Sequence, residues 1–140
     1  MLFRSDYASD TRGTDPYIPL HNAEIVACPQ IPTTLPTLDE LIGVDGVTAA
    51  NVADRILDRT QSPPTWGHVY TLRAELEGGR LAPAFERLLE GWRTQGYELV
   101  PLRAIYESLD PRRIPRCNVA VDVVRGRPET LAVQGAHFLA

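Results

Sequence analysis

The chain has few of the residues on which disulfide-stapled domains depend. Its 140 residues include two cysteines, Cys28 and Cys117, which lie far apart and belong to no CxxC pair. We expect two reduced, mostly buried thiols. A disulfide would need close Cα atoms, which a sequence cannot show.

Long apolar runs and a basic charge excess are missing as well. No stretch approaches the roughly 20 residues of a membrane-spanning helix, and Met1–Asp6 lacks the apolar core of a signal peptide. The cytoplasm is therefore the expected location. The formal charge of −4 argues against a nucleic-acid partner, which usually meets a basic face.

Histidine is scarce and scattered. His21, His68 and His137 are isolated, and no pair has the helical or short-loop spacing of metal ligands. We therefore predict no metal site within this chain and a structural role for His68.

What the chain does contain is an alternation of strand-like and amphipathic segments. A capping box at Thr37–Glu40 predicts a short helix ending at Gly43. Three more helices are predicted: from Thr48 to about Thr60, after Pro83 up to Gly96, and from Pro101 to Asp110. Strands are predicted at residues 2–7, 24–29, 68–76 and 97–100. Such alternation predicts an α/β fold with a mainly parallel sheet.

The segment His68–Gly79 is the most informative stretch. It predicts a buried strand that runs into a charged, glycine-ended loop, with Arg73 and Glu75 on one face. The C-terminal ends of strands carry the chemistry in αβ barrels, so this pair marks a candidate site. The alternative is a strand whose charges simply reach solvent, and Glu77 is predicted to be an exposed loop residue.

The tail has a different character. Two strand-like runs, 117–124 and 130–134, flank the turn signal Arg125–Glu129 and predict a C-terminal β-hairpin or extended arm. We accordingly predict a division into residues 1–115, the α/β portion, which the family resemblance described below makes a partial barrel, and residues 116–140, the arm.

Three segments in order resemble one protein family: Tyr7–Gly13 (YASDTRG), Gln30–Gly43 (QIPTTLPTLDELIG) and Val69–Gly78 (VYTLRAELEG). They are similar to the bacterial 4-deoxy-4-formamido-L-arabinose-phosphoundecaprenol deformylases of the polysaccharide deacetylase superfamily. The resemblance implies the C-terminal half of a distorted (β/α)7 deacetylase-type barrel. It also implies deformylation of an undecaprenyl-phosphate-linked amino sugar, a step in lipid A modification, at the inner face of the inner membrane.

The chemistry that the resemblance implies is metal-assisted amide hydrolysis, with a divalent ion such as Zn²⁺, an Asp base and a late His acid. Two departures stand against it. The family's metal-binding Asp and HxxxH pair lie in its N-terminal half, to which nothing here corresponds. Arg73 occupies the position of the acid His, and an arginine does not give up a proton near neutral pH. This chain alone is therefore expected to be inactive.

The resemblance also assigns candidate substrate-binding residues. Asp10 and Arg12 match the family's active-site loop, the alternative being an Asx-type turn with a surface Arg. Glu75 joins Arg73 on the cleft side, the alternative being an internal ion pair. The expected partners are the lipid-linked amino sugar, with peripheral membrane contact, and the missing N-terminal half. The rival function is a non-catalytic, degenerate half-barrel that binds a sugar or self-associates through open strand edges.

Overall fold

A mixed sheet and four helices make up the structure, a computed structural model that describes residues 4–139. The chain divides into two compact units. Residues 4–34, 100–124 and 128–139 form the first, and residues 35–99 and 125–127 form the second. The strands are β1 (Ile18–His21), β2 (Glu24–Ile25), β3 (Arg116–Val123) and β4 (Thr130–His137); the helices are α1 (Leu38–Leu41), α2 (Val52–Arg59), α3 (Ala82–Thr94) and α4 (Leu102–Ser108).

The sheet of the first unit runs in the order β2-β1-β3-β4. Only β1 and β3 pair in parallel; the other two pairs are antiparallel. The prediction of a mainly parallel sheet is therefore wrong for the described strands. The reason is the short connections, because a parallel pair needs a long crossover. The two residues between β1 and β2, Asn22 and Ala23, both have positive φ, as a tight hairpin turn requires.

The C-terminal hairpin is confirmed. Strands β3 and β4 pair antiparallel from Val123 and Thr130 back to Cys117 and His137, with a register shift between Cys117 and Val119. Cys117 is fully buried and Cys28 half-buried, and both are free thiols. The division at residues 115 and 116 stays a prediction.

Helices α1 and α3 of the second unit lie where the sequence pattern places them. Helix α2 begins at Val52 after the N-cap residue Asn51, three residues later than the predicted N-cap Thr48, whose N–H donates to Asn51 Oδ1 in the preceding turn. Helix α1 begins with the reciprocal bond of a capping box, from the Thr37 N–H to the Glu40 carboxylate at 3.2 Å. Helix α3 has a proline in its first turn and is followed by Gly96, whose φ is +90°. The side chains that α1, α2 and α3 bury form one core: Leu38, Val52, Ala53, Ile56, Ala84, Leu88 and Trp92.

The strand predicted at residues 68–76 is wrong. Within residues 4–139, no strand covers this segment; the chain becomes helical at Ala74 and continues as a π-helical turn over Leu76–Arg80. The N–H groups of Leu76 and Glu77 both donate to the Arg73 carbonyl at 2.9 Å. Local hydrogen bonding therefore bends the chain at the point where the pattern continues an extended strand.

Other predicted strands shorten or disappear in the described residues. The strand at 24–29 is confined to Glu24–Ile25, and residues 97–100 are not a strand. Residues 4–7 are not a strand either, and Leu2 and Phe3 lie outside the described residues. Leu72 and Leu99, from two of these segments, remain 47% and 50% exposed. An apolar segment forms a strand only where another strand lies beside it, which local pattern does not specify.

Two glycines of the second unit allow a stability test. Gly43 and Gly126 have φ of +87° and +90°. A Cβ on Gly43 would meet open space, whereas a Cβ on Gly126 would overlap the backbone carbonyl oxygen of Glu40. Gly43→Ala should lose about 1 kcal/mol to the left-handed backbone alone. Gly126→Ala should lose about 2–4 kcal/mol, because steric overlap adds to the backbone strain. Urea unfolding of both variants measures the difference, and equal losses would contradict the close approach.

Candidate active site

The Asp10–Gly13 segment of the first unit is held within the sheet. The Arg12 N–H donates to the Ala132 carbonyl at 3.0 Å, and the Arg12 carbonyl accepts from Gln134 N–H at 2.7 Å. On its other side, the Gly13 N–H donates to the Thr33 carbonyl at 3.1 Å. The segment thus lies as a short ladder between β4 and residue 33, with Arg12 partly buried. A ladder of this kind gives a more rigid backbone than an isolated turn.

The Asp10 carboxylate is exposed but is hydrogen-bonded on one side. Gln30 Nε2 donates to Asp10 Oδ1 at 2.5 Å, and Gln30 itself is only 8% exposed. Behind it, the hydroxyl of fully buried Tyr17 donates to Thr11 Oγ1 at 2.8 Å. Burial raises the pKa of Tyr17, so that its hydroxyl stays protonated and remains a donor. The sequence analysis did not predict a role for Gln30 or Tyr17, because a single polar residue beside a proline belongs to no periodic pattern or motif that would mark it.

Arg73 and Glu75 belong to the second unit and are both exposed. They do not share a strand face as predicted, because Glu75 lies in the helical turn that follows Arg73. Arg73 Nη1 lies 3.5 Å from Asp39 Oδ2, with side chains 42% and 28% exposed. The arrangement leaves a partly exposed guanidinium next to one carboxylate. Such a group can stabilise a developing negative charge.

Glu77 is not the exposed loop residue that the sequence predicts. It is 3% exposed, accepting from the Tyr70 hydroxyl at 2.6 Å and from the Arg73 N–H at 2.9 Å. A buried carboxylate needs such donors, because an unsatisfied charge is costly away from water. Burial and the neighbouring Glu77 both raise the pKa of Tyr70, which keeps its hydroxyl a donor. The sequence feature that could have indicated this contact is the four-residue spacing from Arg73 to Glu77, which is the spacing of one helical turn.

Helix α1 carries a second buried carboxylate. The Glu40 side chain is fully buried and pairs with Arg127 Nε at 2.5 Å. Nearby, Arg125 forms two bonds to Asp45, at 2.7 and 2.8 Å, in the bidentate geometry that suits a guanidinium. The turn that the sequence predicts from Arg125 to Glu129 therefore also supplies two cations to this unit.

The described residues do not fit a metal ion. Among residues 4–139, no three His, Cys, Asp or Glu side chains come together in a way that could hold one. His68 is half-buried, and its ring centroid lies 5.9 Å from that of Tyr97. The donor set for the divalent ion that the family resemblance implies is thus not assembled in this part of the chain.

Comparison with known proteins identifies the relatives. No family model matches the chain. It is 36% identical over 104 residues to the probable 4-deoxy-4-formamido-L-arabinose-phosphoundecaprenol deformylase ArnD of Shewanella sediminis (strain HAW-EB3), covering 74% of this chain and 32% of the relative. The chain is a homologue of this deformylase family. The resemblance predicted from its three motifs is confirmed.

A second relative supports the assignment with wider coverage. The probable ArnD deformylase of Wigglesworthia glossinidia brevipalpis is 28% identical over 132 residues, which cover 94% of this chain and 45% of the relative. The chain thus matches 32% and 45% of the lengths of these two relatives, less than half of each. In residues 4–139, no helix is long and apolar enough to cross a membrane.

Removing the Tyr70 hydroxyl tests the buried carboxylate. Tyr70→Phe should lower the free energy of unfolding by about 1–3 kcal/mol, because Glu77 loses a donor where water does not replace it. Tyr106→Phe is the control: its ring stacks on Tyr7 at 5.1 Å, and its hydroxyl bonds to no described residue. Urea denaturation measures the free energy of unfolding of both variants. Equal small losses would contradict a stabilising hydrogen bond from the Tyr70 hydroxyl to Glu77.

His68 should make stability depend on pH. Burial lowers the pKa of His68 below its ordinary value of 6.5, so the folded chain disfavours the charged ring. Its contribution to stability is complete above that value and declines as the pH falls below it, because the unfolded chain binds the proton more readily. His68→Gln should therefore flatten the decline between about pH 7 and pH 5. Urea midpoints of the wild type and of His68→Gln across this range test it, and equal slopes would contradict the prediction.

Proposed function

We propose that the chain is the C-terminal portion of a carbohydrate amide hydrolase that removes the formyl group from undecaprenyl-phosphate-linked 4-formamido-arabinose. The observation that carries the proposal is its 36% identity to an ArnD deformylase over three quarters of this chain. The reaction adds water across a C–N amide bond and releases formate and a free amine. The proposed setting is lipid A modification at the inner face of the inner membrane.

The proposed architecture is the C-terminal half of a distorted (β/α)7 barrel, with residues 116–140 as a β arm. The mixed α/β structure and the four amphipathic or capped helices support an α/β assignment. Leu72 and Leu99, both in segments where the barrel would have strands, expose about half of their surface. Apolar side chains at such positions favour a covering partner. We propose that the partner is the N-terminal half of the family's barrel.

The proposed division of roles follows the geometry of each unit. In the first unit, Asp10 and Arg12 would bind the sugar from a backbone held in a ladder. In the second unit, Glu75 would supply a further substrate-binding carboxylate. Arg73 would stabilise the oxyanion that forms as water attacks the formyl carbon. The divalent ion and the base that activates water would come from the N-terminal half, since the described residues do not fit a metal.

The identity of residue 73 predicts weak activity even in a completed barrel. The amine leaves readily only if it is protonated, and an arginine near neutral pH is a poor proton donor. A histidine in its place would supply the acid. The Asp39 carboxylate, which pairs with Arg73 Nη1 at 3.5 Å, would favour the charged, proton-bearing form of an imidazole at this position.

The test is reconstitution. The chain is mixed with the separately expressed N-terminal half of the Shewanella sediminis relative and Zn²⁺, and formate release from the formamido-arabinose lipid is measured. We expect little activity with the wild-type chain and a gain on the order of 10²-fold with Arg73→His, the lower range for general acid catalysis. Arg73→Gln is the control, because it removes the charge without adding an acid.

Two results would count against the proposal. A gain with Arg73→Gln equal to that with Arg73→His would show that removing the guanidinium, not adding an acid, matters. The absence of a gain in either variant, with a stable complex of the halves, would favour the rival function, a non-catalytic half-barrel. That rival also predicts that the chain alone self-associates, which sedimentation equilibrium would show.

A further inference from the structure

Two glutamine side chains hold the loop Asp10–Asp15 at its two ends. Gln30 Oε1 accepts from the Asp10 N–H at 3.4 Å and from the Thr11 hydroxyl at 3.3 Å. Gln134 Oε1 accepts from the Thr14 N–H at 2.9 Å and from the Asp15 N–H at 3.4 Å. Each side-chain carbonyl thus satisfies two donors of one loop, although the glutamines lie 104 positions apart in the sequence.

The middle of the loop is equally constrained. Its backbone pairs with residue 33 on one side and with residues 132 and 134 on the other. Gly13 packs so closely that an added Cβ would lie 2.5 Å from Gln134 Oε1 and 3.0 Å from Pro32 Cβ. With both ends and the centre fixed, the loop loses little conformational entropy when a ligand binds.

The two glutamines differ in what their amide nitrogens do. Gln30 Nε2 donates to Asp10 Oδ1 at 2.5 Å, so this side chain also orients a carboxylate. Gln134 Nε2 lies 3.5 Å from the Sγ of buried Cys117, and among residues 4–139 it donates to no carboxylate. Gln134 therefore supports the backbone alone, whereas Gln30 supports the backbone and directs the Asp10 side chain.

The groups presented to solvent suit a hydroxyl-rich ligand. Asp10 is exposed, and its Oδ2 accepts no hydrogen bond from residues 4–139, which leaves one carboxylate oxygen to accept from a ligand hydroxyl. Thr14, also exposed, adds a hydroxyl that donates to Asp15 at 2.9 Å. A carboxylate oxygen that accepts and a hydroxyl that donates or accepts, both on one fixed loop, are groups that hydrogen-bond sugar hydroxyls.

We propose that Gln30 and Gln134 are positioning residues that preorganise Asp10–Asp15 as a sugar-hydroxyl binding loop, and that Gln30 sets the direction of the Asp10 carboxylate. The choice of a pentose as ligand rests on the proposed function. The bracing of the loop rests on the hydrogen bonds alone, so the two parts are tested separately.

The bracing is tested by amide hydrogen exchange on the 140-residue chain. Gln30→Ala should speed exchange at Asp10, and Gln134→Ala should speed exchange at Thr14 and Asp15, each by about tenfold, as expected for losing one intramolecular hydrogen bond. Amides of α3, in the other unit, serve as the internal reference. Unchanged exchange in the loop of both variants would overturn the positioning role.

The direction of Asp10 is tested with L-arabinose as the probe, followed by chemical shifts of the loop. Gln61→Glu is the control, because the Gln61 amide also donates to a carboxylate, Asp58 Oδ1 at 3.3 Å, but lies in the other unit, and this variant should bind the pentose as the wild type does. Gln30→Glu keeps its acceptors but turns an oxygen toward Asp10 Oδ1, and should weaken binding by about tenfold or more. Circular dichroism checks that both variants are folded. Equal affinities of the two variants would overturn the role of Gln30.

A third result separates this inference from the function on which the ligand choice rests. If L-arabinose leaves the loop shifts of the wild type unchanged while both alanine variants speed exchange, the sugar assignment is overturned. The same result supports the bracing role of the two glutamines, because exchange reports the loop without any ligand.

Discussion

A carboxylate removed from water must find donors, and this constraint shapes the second unit around two glutamates. Glu77 accepts from the Tyr70 hydroxyl and from the Arg73 N–H, which closes a helical turn where the sequence pattern continues a strand. Glu40 caps the first turn of α1 through the Thr37 N–H and pairs with Arg127 from far along the chain. Each of these glutamates satisfies its charge by holding a separate piece of backbone or an arginine in place.

This constraint has a consequence for the candidate chemistry. Because Glu77 holds the N–H of Arg73, the backbone at residue 73 is anchored from inside the unit, while the guanidinium stays partly exposed beside Asp39. In the first unit, neutral groups anchor the backbone instead: the side-chain amides of two glutamines hold the loop that carries Asp10. Carboxylates in the second unit and glutamine amides in the first thus both hold backbone segments in place. Burying a charged carboxylate costs more desolvation free energy than burying a neutral amide.

Some features of the site were predictable and others were not. The helices could be predicted from apolar periodicity and capping residues, because both signals are local. In α3, for example, Leu88 and Trp92 lie four residues apart on the buried face, and Gly96 follows the C-terminal end. The family followed from three short motifs. The conformation of residues 68–76 did not follow from the sequence, because an alternating apolar pattern becomes a strand only when another strand pairs with it. Glu77 was misread for the same reason, since its burial depends on Tyr70 and on the turn at Arg73.

By itself, the sequence determined the helices, the C-terminal hairpin and the homology to the ArnD deformylases, all of which depend on near neighbours or on residue identity in order. It also determined that residue 73 is an arginine, which sets the limit on proton donation at that position. Only the tertiary structure decided the mixed order of the sheet, the burial of Glu40 and Glu77, and the pairing of Gln30 and Gln134 with one loop. The physical reason is range: these features join residues that lie far apart in the chain, and a hydrogen bond or a burial site exists only once both partners have been brought together.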